Sequence, residues 1–88
     1  MLEKVVRTLE AHPSIDLVLE GHADSHEPEP FEMARRRATA LKKWLLARGV
    51  RCNVGVQPFG ASCPIATNLT AQGRRHNRRV ELQIRMRA

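Results

Sequence analysis

The sequence predicts a small α/β (α+β) domain, a β-α-β unit with an added strand whose mixed sheet carries both helices on one face. Three observations carry this. The hydrophobic period switches along the chain in the order helix, strand, helix, strand, strand, which places a helix between two strands. A chain of 88 residues cannot divide its burial between two cores, so residues 1–88 form a single domain. The aromatic residues are Phe31, Phe59 and Trp44, with no Tyr, so the core that closes the domain is aliphatic.

Leu2, Val5, Val6 and Leu9 recur at helical spacing until His12-Pro13 stops them, which predicts a helix over residues 2–11. Ile15, Leu17 and Leu19 then alternate with Asp16, Val18 and Glu20, a strand closed by Gly21. Residues 22–30 read as a loop, broken by Pro28 and Pro30 and charged by Asp24, Glu27 and Glu29. From Phe31 the stripe Ala34, Ala38, Leu41 and Leu45 predicts the longest helix, with Arg35, Arg36, Lys42 and Lys43 off the stripe and Gly49 placed to cap its end.

Val54 and Val56 open a second strand that Pro58 and Gly60 cut short, so it is expected to lie at an edge or to end early. Residues 61–77 read as a loop with one helical turn near Thr70 to Arg74. Val80, Leu82, Ile84 and Met86 alternate with Glu81, Gln83, Arg85 and Arg87, the cleanest strand signal in the chain. A first helix with an apolar face and no strand ahead of it suggests that a preceding strand lies outside the sequence or is supplied differently. That would leave a sheet edge open to another chain, a homodimer included.

The net charge of +6 is unevenly laid out. Residues 1–34 hold eight acids against Lys4 and Arg7, residues 35–51 hold seven bases and no acid, and residues 71–88 hold six arginines against Glu81. Such asymmetry favours an anionic partner or, more plainly, a solvated basic helix face. Nucleic acid is the weaker alternative: Arg35, Arg36, Arg37, Lys42, Lys43, Arg48 and Arg51 could neutralise phosphates, but stacking aromatics are scarce and no reading motif is present.

No stretch reaches the ~20 apolar residues that span a bilayer, and Met1 opens straight into the amphipathic pattern without a signal-peptide core. The chain is therefore expected to be cytoplasmic or a piece of a longer protein whose targeting segment lies elsewhere. Cys52 and Cys63 fit a disulfide, two buried thiols or neither, with geometry as the arbiter.

Ser25, Ser62 and the two cysteines have no identifiable base and orienting partner, so no enzyme activity is expected. His22, Asp24 and His26 would point to one side of an extended segment, and two imidazoles with a carboxylate suit zinc. The spacing is weakly specific, and no metal or cofactor is required by it.

Five short segments in register resemble a known family. Gly21-His22-Ala23-Asp24 follows a strand, Arg36-Arg37-Ala38 lies in the next helix, and Gly49-Val50 follows that helix. Gly60-Ala61-Ser62-Cys63-Pro64 and Asn77-Arg78-Arg79-Val80-Glu81-Leu82 complete the series. Together they resemble the OmpA C-terminal domain, shared with peptidoglycan-associated lipoprotein and flagellar MotB.

The resemblance implies an OmpA-like β-α-β-α-β mixed sheet, lacking its first strand here, that binds peptidoglycan non-covalently through the diaminopimelate of the stem peptide. It assigns the grip to Asp24 and Arg37, with Arg78 or Arg79 as a third contact. A zwitterionic amino-acid end offers an ammonium to a carboxylate and a carboxylate to a guanidinium fork. It also implies a place in the periplasm or cell envelope, attached to the outer membrane through parts of a longer chain.

The chain departs from the family pattern in the binding loop. Ala23 stands for a Thr, Glu27 for a Gly, and Glu29-Pro30 for Tyr-Asn, and the loop is shorter. Glu27 and Glu29 bring negative charge toward a ligand that itself carries carboxylates. A scaffold that kept the fold and lost the wall is the alternative this suggests.

Overall fold

The computed structural model describes residues 2–86, so the alternation expected to run to Arg87 can be followed to Met86, and Met1, Arg87 and Ala88 lie outside the described residues. The elements are α1 (Leu2–Ala11), β1 (Ile15–His22), α2 (Pro30–Ala47), β2 (Asn53–Gly60), α3 (Ala71–Asn77) and β3 (Arg79–Met86). The sheet order is β2-β1-β3, with β1 parallel to β2 and antiparallel to β3.

Ile15, Leu17 and Leu19 project from one face of β1 and are almost completely buried. Val6 and Leu9 of α1 and Ala38 and Leu45 of α2 close over them, so both helices cover the same face, as the periodicities predict. The core is aliphatic, and Trp44 is packed at its margin. Arg48 lies 4.4 Å over the Trp44 ring.

Two glycines set the frame of α2. Gly49 sits at φ 88 after the helix, its N–H bonded to Leu46 O and the next N–H, of Val50, to Leu45 O, which is the paired closure a left-handed residue allows. Gly21 meets the first turns of the helix: a Cβ there would lie 2.0 Å from the Ala34 carbonyl oxygen. Strand and helix touch main chain to side-chain-free main chain.

Two segments differ from expectation. β2 lies at the sheet edge, as expected, but it runs through Pro58 to Gly60 and does not end early; as an edge strand it needs only one neighbour, and the register shift between Gly21 and His22 absorbs the irregularity. Residues 71–77 form a true helix where a loop with a single turn was expected. Its sequence AQGRRHN has no apolar stripe to announce it. Thr70 caps it, accepting from Gly73 N at 3.0 Å, and Gly73 fits against the Thr67 carbonyl where a Cβ could not.

The β3 strand forms as expected, but its apolar residues are unevenly used. Val80 and Leu82 are half-buried against the core, whereas Ile84 and Met86 are 55% and 76% exposed. Cys52 is buried, Cys63 is exposed, and no disulfide joins them. Among the described residues no helix is long and apolar enough to cross a membrane.

Candidate functional site

Asp24, Arg37 and Arg78, far apart in sequence, belong to one connected corner at the C-terminal end of β1. Pairing with β2 continues past the strand, Ala23 N donating to Gly60 O at 2.9 Å, and this delivers Asp24 into the interior, 1% exposed. Its Oδ1 accepts from the His26 backbone N–H at 2.7 Å, the turn bond an Asp favours. Its Oδ2 accepts from Arg78 Nη1 at 2.9 Å.

Arg37 reaches the same corner from the second turn of α2. Its Nη1 donates to His22 O at 3.1 Å, and its two terminal nitrogens grip both oxygens of Glu27, at 2.8 and 2.5 Å. The fork is bidentate and little exposed, the stronger kind of ion pair. Glu27 Oε1 also accepts from Asp24 N at 3.0 Å, tying the two pairs together. The glutamate read from sequence as stray negative charge is the internal partner of the arginine that the family resemblance assigns to the ligand.

Burial pushes the Asp24 carboxyl up. The Arg78 hydrogen bond, the His26 N–H and the fields of Arg78 and Arg74 outweigh it and hold the group below its ordinary value. Burial likewise pushes Glu27 up, against Asp24's added repulsion, but Arg37 and the Asp24 N–H win and its carboxyl is also lowered. Both are ionised at neutral pH.

The loop entering α2 is under local tension. Glu29 adopts φ 48, ψ 63 directly before Pro30 and caps the helix without a side-chain hydrogen bond. A side chain in this region costs roughly 1–2 kcal/mol relative to right-handed backbone. Beside the corner, Glu29, Phe31, Arg36, Phe59 and Ser62 help line an open depression of about 720 Å³.

Two asparagines to which the sequence assigned no role hold the facing loop. Asn77 is fully buried: its Oδ1 accepts from Ile65 N and Ala66 N at 2.8 and 3.1 Å, and its Nδ2 donates to Ala66 O and to Asn68 Oδ1. Asn68 Oδ1 in turn accepts from Ser25 N at 3.3 Å, joining that loop to the Asp24 turn. The signal available was Asn77 at the head of Asn77-Arg78-Arg79, a polar side chain fixed between helix and strand.

His22, Asp24 and His26 do not share a ligand set, since Asp24 is committed to Arg78 and the His26 backbone. Among the described residues the ligand atoms that converge are those of Glu20, His22 and Glu81, within 4.8 Å of one another. The basic stretch of α2 is partly neutralised within the fold: Arg35 and Arg36 pair with Glu32, and Arg37 with Glu27.

Comparison with known proteins gives a consistent result. The OmpA family model matches residues 1–78. The chain is 34% identical over 87 residues to outer membrane protein A of Bordetella avium, covering 96% of this chain and 45% of that protein. It is 32% identical to the peptidoglycan-binding protein ArfA of Mycobacterium tuberculosis, covering 96% of this chain and 27% of the other. Its fold is similar to the C-terminal domain of Helicobacter pylori MotB, with a TM-score of 0.88 at 25% identity over 99% of this chain and 70% of that one. The chain thus spans under half the length of the curated relatives named here.

Proposed function

The chain belongs to the OmpA family, and from that premise we propose that it is a peptidoglycan-binding module, not an enzyme, that grips the stem peptide through Asp24, Arg37 and Arg78. The observation that carries this is the corner itself, where one buried carboxylate and two arginines are held in place by backbone and side-chain bonds before any ligand arrives. Such preorganisation lowers the cost of binding. Asp24 would receive the ammonium of the diaminopimelate end and Arg37 its carboxylate, with Arg78 steadying Asp24.

Glu27 sets the terms. Its carboxylate occupies the fork of Arg37 that the ligand's carboxylate would take, and the bond from Arg37 to His22 O would hold the arginine were Glu27 displaced. An attached competitor of this kind acts at an effective concentration on the order of millimolar, so binding is weakened without being abolished. On this reading the module works in the periplasm or elsewhere in the cell envelope, held to the outer membrane through parts of a longer polypeptide. The same Glu27 contact favours a second reading, a scaffold of this fold that has exchanged wall binding for an internal ion pair.

Calorimetric titration with a diaminopimelate-containing stem peptide separates the two. Wall binding predicts saturable heat for the native chain, none for folded Arg37→Ala, and roughly tenfold tighter binding for Glu27→Gln as the competitor is weakened. No heat from native and Glu27→Gln proteins, both folded, leaves the scaffold reading.

A further inference from the structure

On the sheet face opposite the two helices, Glu20 and His22 follow one another along β1. The antiparallel register sets Glu20 against Glu81 and His22 against Arg79. Two carboxylates directly opposite on neighbouring strands repel. Glu81 is compensated by Arg79, whose Nε donates to Oε2 at 2.6 Å while its terminal nitrogens hold the carbonyls of Asn77 and Cys63. Glu20 accepts from Gln83 at 3.3 Å, a neutral donor.

His22 sits against this pair, 4% exposed, its ring stacked on Phe59 at 5.4 Å between centroids. Both of its ring nitrogens are buried without a hydrogen-bond partner, and Nε2 is 3.7 Å from Glu81 Oε2. Buried polar atoms in native folds nearly always find a partner, so an imidazole unpaired at both nitrogens calls for one. A cation would answer the orphaned imidazole and the facing carboxylates together.

We propose that Glu20, His22 and Glu81 form a zinc-class divalent metal site that ties the central strand to its antiparallel neighbour. The ligands lie within 4.8 Å of one another, whereas bonds of about 2.0–2.2 Å from each to a tetrahedral zinc need them somewhat closer. The contraction falls to side-chain rotation: Glu81 is 42% exposed and the backbones are already in register. One imidazole among oxygen donors favours zinc or a neighbouring transition ion over magnesium or calcium, and water completes the fourth position. Arg79 is the rival cation, because metal on Glu81 competes with its hydrogen bond. None of Asp24, Arg37 or Arg78 is a ligand, and the two sites meet only at the main chain of His22, whose carbonyl accepts from Arg37.

The test is a calorimetric titration of the tag-free chain with zinc chloride, with cobalt(II) absorption reporting the coordination. One ion per chain is expected, with affinity at least about tenfold weaker in Glu20→Gln and in Glu81→Gln, and tighter than native in Arg79→Gln. His22→Gln should abolish uptake; should that variant misfold, the two half-exposed glutamates decide the matter, circular dichroism confirming their fold. Absence of saturable zinc uptake by the native chain, or uptake unchanged in the folded Glu20→Gln/Glu81→Gln double variant, would overturn the site.

Discussion

The two ends of the sheet are built on different principles. At the end where β1 runs into the Asp24 turn, polar side chains fix the main chain: Asp24 and Glu27 bond to backbone within their own turn, and Asn68 and Asn77 bond to backbone and to one another across longer stretches of chain. At the other end β3 leaves Ile84 and Met86 largely in solvent. The apolar alternation that announces β3 most clearly is least used where it ends, while the polar corner holds the residues proposed to bind. Satisfied buried polar groups specify a single geometry in a way that aliphatic contact does not.

That contrast can be broken most directly at Asn77. Replacing it by Ala removes both hydrogen-bond acceptance from Ile65 and Ala66 and donation to Ala66 and Asn68, leaving part-buried backbone groups without these partners. The loss expected in urea denaturation is about 3 kcal/mol or more. A change under about 1 kcal/mol would mean the corner is not held by its polar bonds.

A second test uses acid. Asp24 and Glu27 lie below their ordinary values of 3.8 and 4.5, so the unfolded chain binds more protons than the native one as pH falls. The stability they contribute is complete above those values and is lost as pH drops through them toward the lowered ones. Denaturation midpoints measured between about pH 6 and pH 3 should fall steeply for the native chain and less so for the Asp24→Asn/Glu27→Gln double variant. Equal slopes would remove the two carboxylates from the corner's stability.

The smallest effect belongs to the opposite end. Ile84→Ser should shift thermal stability by no more than about 0.5 kcal/mol, the usual range for an exposed position. A loss comparable to that of Asn77→Ala would erase the distinction between the two ends.

The same distinction governs what could be read in advance. α1, β1 and α2 were legible because Val6, Leu9, Leu17, Leu19, Ala38 and Leu45 keep one period each and are buried by it. α3 was not, because a capping Thr70 and a close-packed Gly73 leave no periodic trace. β2 continued past Pro58 because an edge tolerates what a central strand does not. Asp24, Arg37 and Arg78 were reached through family resemblance. The bond between Asp24 and Arg78 spans 54 positions and no local pattern expresses it. Glu27 was visible as a charge but not as the partner of Arg37, and the facing of Glu20 and Glu81 depends on a register that only pairing reveals.

The missing Cβ at Gly21 has a consequence for how such a domain can change over generations. Where side chains separate a strand from a helix, exchanging one aliphatic residue for another alters the spacing between layers. At Gly21 the distance to α2 is fixed by the Ala34 main chain itself, so no such exchange elsewhere resets it. Arg37 lies three residues, about one turn, beyond that contact. Aliphatic residues of the interior can therefore be exchanged while the height of Arg37 above the Asp24 turn stays set by this one contact.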